Sequence, residues 1–282
     1  MVLRLVITAD DLGIDEARDR GIFEAFAAGA LRQASLLVRG ASAHSAAARA
    51  RASGLPLGLH LDLTELEAVA EKTRIRSLLD AGGRKLGKHG LRAAVARGDV
   101  QPEHVERETS AQLDAFEELC GTPALHVDGH QHVQVVPGLS ESIARVLGRR
   151  GVKTTRIPEQ SNPRALDSTR AAFHAEVAQQ ARAARAIYAA HGVGSSDRFS
   201  GLQLMGHAMS EHALRSVVEA CRDASLEVMT HPGYASQRGD AFNRSVEREH
   251  ELRVLCARPL QPEIERGELR IASFADLWLK HG

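Results

Sequence analysis

A parallel α/β architecture closing into a (β/α) barrel or near-barrel is the fold class this sequence predicts, with an open doubly wound sheet as the runner-up. Three observations carry it. Short apolar runs alternate with Ala-rich helical patterns along all 282 residues, the signature of parallel α/β proteins. About eight such runs match the strand number of a barrel. No repeat, low-complexity linker or composition break divides the chain, so 1–282 reads as a single domain.

The elements follow in order. Residues 3–9 (LRLVITA) open as an apolar strand and stop at Asp10-Asp11. Neighbouring strand residues point to opposite faces. Both carboxylates therefore reach one site only if the backbone turns there, and Gly13 allows such a turn. A helical pattern over 15–28 leads to a strand at 33–39, a helix at 42–52 and a strand at 55–63 (LPLGLHLDL). Residues 64–99, with Gly82-Gly83 and many charges, are the least regular and read as an insertion after the third strand. Pro102-Glu103 starts a helix reaching 119, since Pro suits a first helical turn. Strands at 124–130 (ALHVDGH) and 152–158 (VKTTRIP) flank a helix at 139–147; 159–167 is a loop and 168–190 a long helix. A weaker strand at 202–206, a helix at 211–220, a strand at 226–233 (LEVMTHPG), a helix at 246–256 and a strand at 269–277 complete the series. The insertion and the 159–167 loop both follow strand ends, where α/β proteins place their sites.

Composition narrows the function classes. Lys plus Arg and Asp plus Glu each number 36, so the formal charge is zero and nothing calls for nucleic acid or an anionic membrane. Apolar residues at 43% are ordinary for a globular protein, while aromatics at 4% leave the core to Leu, Val, Ile and Ala. Cys120, Cys221 and Cys256 are far apart with no CxxC, which fits a reducing compartment. The N-terminus turns polar too soon for a signal peptide, and no run approaches the roughly 20 apolar residues of a membrane span. Cytoplasm is the expected location.

The richest stretch is HVDGHQHVQVV, residues 126–136. His126, Asp128, His130 and His132 share one side if the strand stays extended. Such groups on an apolar strand carry a desolvation cost unless they are paired or bind a metal. His126 sits deepest and suits a supporting hydrogen bond. Two more strand ends repeat the theme: His60 and Asp62 in LGLHLDL, and His231 before Pro232-Gly233. Asp10, Asp11, His60, Asp128, His130 and His231 thus cluster at carboxyl ends of separate expected strands, which a barrel brings to one mouth. His44, His89, His104, His174, His191, His212 and His250 lie in helices or loops, His281 stands next to last, and all read as solvated. His207, after the weak strand, is a site neighbour. No GxSxG, Walker or dinucleotide motif competes. Carboxylate with imidazole suits zinc, cobalt, nickel, manganese or iron; magnesium is less natural.

TADDLG near the start, GLHLDLT at 58–64, HVDGHQHV at 126–133 and THPG at 230–233 resemble the YdjC-like carbohydrate deacetylases, which include chitooligosaccharide and hopanoid-biosynthesis deacetylases. The likeness runs from residue 4 to about 240. It implies a distorted TIM-like barrel related to the polysaccharide deacetylases and one divalent metal ion (Zn, Mg, Co, Ni or Mn) on Asp11, His60 and His130. It further implies Asp10 as catalytic base and His231, charged near neutral pH, as the acid. Asp128 would hold an imidazole in one tautomer, and His132 is the alternative third ligand. The family often has serine where Gly129 stands and histidine where Gln134 stands, which weakens the substrate assignment. The implied reaction removes the N-acetyl group from an N-acetylglucosamine-type sugar, oligosaccharide or glycolipid such as a glycosylated hopanoid, with a homodimer as one oligomeric option. Phe199, Tyr234 and Trp278 are the few stacking candidates. A metal-dependent amidohydrolase or deaminase on a small non-sugar substrate is the alternative, helped slightly by the scarcity of aromatics. A non-catalytic metal-binding barrel is the third reading, opposed by the intact Asp10 and His231.

Overall fold

The computed structural model describes residues 2–160, 168–221, 224–237 and 241–278. His281 and most of the 159–167 loop therefore lie outside the described residues. The elements run β1 (Leu3–Leu12), α1 (Glu16–Ala27), β2 (Gln33–Leu36), α2 (Ala43–Ser53), β3 (Leu57–Leu61), α3 (Gly87–Ala96), α4 (Pro102–Cys120), β4 (His126–Gly129) and α5 (Ser140–Arg149). They continue β5 (Thr154–Thr155), α6 (Ser168–Ala190), β6 (Arg198–Ser200), α7 (Glu211–Glu219), β7 (Ser225–Thr230), α8 (Glu247–Cys256), α9 (Gln261–Glu265), β8 (Leu269–Ile271) and α10 (Phe274–Trp278).

All pairings between these strands are parallel, in the order β5-β4-β3-β2-β1-β7-β6. β8 pairs with the first residues of β1. Two isolated parallel bridges, Thr154↔Gly194 and Gln160↔Phe199, link the segments at the two ends of this path. β4 and β7 stand four strand spacings apart, about 19 Å if the sheet were flat. Yet Arg156 lies 2.9 Å from Asp128 of β4 and 2.7 Å from Glu227 of β7. One side chain touches both only because the sheet curls around it, as in a distorted TIM-like barrel. α1 buries Ile22 and Phe23 and α4 buries Val105, Leu113 and Phe116 in the main hydrophobic cluster. Each such side chain contributes roughly 1.5–3 kcal/mol. Among the described residues no helix is long and apolar enough to cross a membrane.

Three expectations need correction. LQLMG is not a strand: Leu202–Leu204 and Gly206–Ala208 are short 3-10 turns, and the strand of this unit is β6, just upstream. Gly201 at φ 144° and Gly206 at φ 63° leave strand geometry on both sides of that run. The last strand is only three residues long. Ser273 and Asp276 then exchange hydrogen bonds of 2.9–3.2 Å, a reciprocal cap that starts α10. The 64–99 insertion is more ordered than expected, since it carries all of α3.

Candidate metal centre and active site

The adjacent aspartates reach one site through a backbone device at Asp11 itself. Asp11 has φ 65°, and the β1–β2 register shifts between Ala9 and Leu12. A left-handed residue in a bulge turns the strand and re-aims its side chains. Gly13, at φ 87°, continues the turn rather than making it alone.

Three atoms then converge. Asp11 Oδ1 lies 3.4 Å from His60 Nε2 and 3.2 Å from His130 Nδ1, and the two imidazole nitrogens are 3.3 Å apart. Four-coordinate zinc with bonds of about 2.0–2.1 Å sets neighbouring ligand atoms about 3.3–3.4 Å apart. The trio therefore has the dimensions of one face of such a tetrahedron. Asp11 Oδ1 is buried without a hydrogen-bond partner. His60 is the register partner of Asp128 across β3 and β4, and its Nδ1 lies 2.6 Å from Asp128 Oδ1. That leaves Nε2 to face Asp11. The strand expected to run through His130 stops at Gly129. Gln131 and His132 adopt left-handed φ of 54° and 59°, so His130, not His132, meets Asp11 and His60. His132 is buried and lines the cavity instead.

Beneath the trio, Arg156 is fully buried. It clasps both oxygens of Asp10 at 2.6 and 2.7 Å and also reaches Asp128 and Glu227. Ser35 Oγ donates to Asp128 Oδ2 at 2.5 Å. His126 lies below, 1% exposed, stacked on Phe274 with its Nδ1 2.9 Å from Thr154 Oγ1. Asp10, Asp11, Asp128 and Glu227 are four buried carboxylates, and the guanidiniums of Arg156, Arg18 and Arg248 are buried near them.

The electrostatics follow from this crowding. Burial raises Asp10 to about 6, against the pull of Arg156. Burial also opposes ionisation of Asp11, but the imidazoles of His130 and His60, 3.2 and 3.4 Å from its Oδ1, hold it well below the usual carboxylate range. Burial disfavours a charge on His60, yet Asp128, Asp10 and Asp11 outweigh it and raise the imidazole to about 9. His130 is likewise raised against its burial, by Asp11 and Glu65. His231 behaves oppositely: burial and Arg248 push it well below its ordinary value. The expectation of a charged His231 is thus corrected, for it is neutral near pH 7. Its backbone N–H donates to Glu251 at 2.6 Å, and Nε2 lies 3.9 Å from Asp10 Oδ2.

A cavity of about 670 Å³ opens over Asp10, Asp11, His60, His130 and His231. Leu202, Met205, Met229, Phe173 and Phe242 form its apolar walls. The three residues expected to contact substrate are elsewhere. Phe199 is 0% exposed inside β6. Tyr234 donates to Glu24 at 2.7 Å under the Arg20 guanidinium. His207 packs its ring against His250. None of them, nor Trp278, lines the cavity. His89 and His174, expected to be solvated, do line it. Sequence reasoning missed Arg156, Glu227 and Glu65. A charged residue inside VKTTRIP and another inside LEVMTHPG were the available signals for the first two, because a strand that buries a charge must pair it.

A profile of the family described as YdjC-like protein matches residues 4–266. The chain is 42% identical to a carbohydrate deacetylase of Homo sapiens over 98% of this chain and 91% of that one. It is 27% identical to a chitooligosaccharide deacetylase of Yersinia pestis, covering 96% and 98% of the two chains. A crystal structure from Enterococcus faecalis, described as a putative cellobiose-phosphate cleavage protein, superposes with a TM-score of 0.75 over 98% of this chain and 99% of that one. At 21% identity that match speaks for the fold alone.

Proposed function

The chain belongs to the YdjC-like protein family, and from that premise we propose that it is a metal-dependent carbohydrate N-deacetylase. It would release acetate from an N-acetylglucosamine-type oligosaccharide or glycolipid and leave a free amine. The observation that carries this reading is the trio Asp11, His60 and His130, whose atoms lie 3.2–3.4 Å apart at the floor of the cavity. These three would hold the ion. Zinc suits the donor set best, cobalt, nickel or manganese follow, and magnesium fits least. The ion supplies Lewis-acid chemistry, acidifying water and polarising an amide carbonyl.

The protein's own groups then manage protons and position. Asp10, raised to about 6 and fixed by two hydrogen bonds from Arg156, is the base that takes the water's proton. Water oxygen bonds to the carbonyl carbon, the C–N bond breaks, and the nitrogen needs a proton. His231 is neutral, so the proton it gives must first reach it. Asp10, 3.9 Å away, is the group that would pass it on through one bridging water. Phe173 and Phe242 replace Phe199 and Tyr234 as the rings offered to a sugar. The buried Cys120 and Cys221 fit the reducing cytoplasm expected for the chain. One hydrophobic cluster from Leu3 to Leu269 supports the single-domain reading.

The test is acetate and amine release from N-acetylglucosamine oligomers, with metal content measured on the same sample. Equal yields of both products are expected, abolished in His60→Ala together with the metal. A metal-loaded protein that frees no acetate from a panel of N-acetylated sugars would move the activity to a small non-sugar amide.

A further inference from the structure

The two imidazoles of the centre present different nitrogens, His60 its Nε2 and His130 its Nδ1. Each outer nitrogen meets a carboxylate. For His60 it is Asp128, buried in β4. For His130 it is Glu65, whose Oε2 lies 3.2 Å from Nε2. We propose that Glu65 is the positioning residue of His130, holding the tautomer that turns Nδ1 toward the metal; this rests on the metal centre proposed above.

The surroundings of Glu65 are built for that task. It sits in the loop after β3, at the start of the insertion. Asp62 fixes the loop: its Oδ1 accepts from the backbone N–H of Thr64 at 2.8 Å and of Glu65 at 3.0 Å, and its Oδ2 from that of Leu66 at 2.8 Å. Lys85 anchors Asp62 in turn, donating to its backbone oxygen at 2.7 Å and its Oδ2 at 3.0 Å, and it lies 3.3 Å from Glu108. The Lys85, Asp62 and Glu108 side chains are at most 4% exposed. The second oxygen of Glu65 accepts from the side chain of Gln131, so the carboxylate is held at both ends. A ligand imidazole whose other nitrogen faces a carboxylate is fixed in orientation and more basic toward the ion. Both histidines thus have the same support, one from inside the sheet and one from a surface loop.

The experiment measures zinc affinity of purified Glu65→Ala, Glu65→Gln and Glu65→Asp by competition with a chromogenic chelator, and the visible spectrum of the cobalt-loaded proteins. The Ala and Gln variants should bind zinc about 10- to 100-fold more weakly with altered cobalt bands. Asp, which keeps the charge, should recover part of the loss. The thermal midpoint of the chelator-stripped proteins should stay at the wild-type value. Wild-type zinc affinity in both Ala and Gln overturns the proposal, as does a stripped Ala variant that unfolds earlier by as much as the loaded one. If wild type itself binds no zinc or cobalt, the metal centre fails, and that result is distinct from either of these.

Discussion

Asp10 and Asp11 are neighbours in sequence with opposite electrostatics. Two imidazoles close to Asp11 outweigh its burial and hold it well below the usual carboxylate range, whereas burial raises Asp10 to about 6 despite Arg156. A ligand must stay charged, and a base should titrate near the working pH, so the two environments fit the two proposed roles. Asp10→Asn should therefore keep the metal and lose about 10²- to 10⁴-fold in kcat, checked by metal analysis beside acetate kinetics. In wild type, kcat/KM should fall as the pH drops, because a protonated Asp10 cannot accept. That limb should lie at or below about pH 6, since a nearby cation favours the carboxylate. Near-normal turnover of a metal-loaded Asn variant would move the base to another group. The pair of roles was readable in TADDLG only through resemblance; the positive φ at Asp11 that makes it geometrically workable is a conformation Asp tolerates better than most residues but adopts rarely, so the sequence does not single it out.

At the exit of β4 the structure joins two features that looked independent in the sequence. A Cβ built on Gly129 would come within 2.2 Å of Gln134 Oε1 and 3.0 Å of the Gln134 backbone nitrogen. Gln134 is fully buried and donates to the carbonyl of Arg156 at 3.1 Å. The absent side chain at 129 thus leaves room for the glutamine at 134, and the two positions are sterically linked. Gly129→Ser alone should destabilise by about 1–3 kcal/mol, as overpacking does. Combined with Gln134→Ala, it should cost less than the sum of the two single changes, a coupling read by denaturant unfolding of all four proteins. Strict additivity would separate the two positions again. Alternation alone placed His126 and Asp128 on one face correctly but carried His130 and His132 along with them. The strand ends at Gly129, and the left-handed Gln131 and His132 just beyond it break the two-residue period.

At the scale of the molecule, alternating strands and helices were plain in the sequence because each is a local pattern. The curl of the sheet, and Arg156 bridging β1, β4 and β7 at its centre, depend on pairings between distant segments. So does the cluster of buried carboxylates around the trio. Its last consequence is a pH-dependent difference between loaded and stripped protein. In chelator-stripped protein, proton uptake takes the place of the cation: His60 is raised to about 9 from 6.5, and His130 is raised as well. A folded-state pKa above the unfolded one gives stability that is complete below about pH 6.5 and lost as pH rises through about 9. The stripped protein should therefore lose thermal stability across that window. Metal binding must displace those protons, because a ligating imidazole is neutral, so affinity should rise with pH over the same range. The two trends oppose each other, and the gap in melting temperature between loaded and stripped protein should widen from pH 6.5 to 9. Parallel thermal scans with and without chelator check this, and calorimetry in buffers of different ionisation enthalpy counts the protons released. A constant gap with no proton release would mean that His60 and His130 are already neutral without metal, and that some other cation balances the four carboxylates.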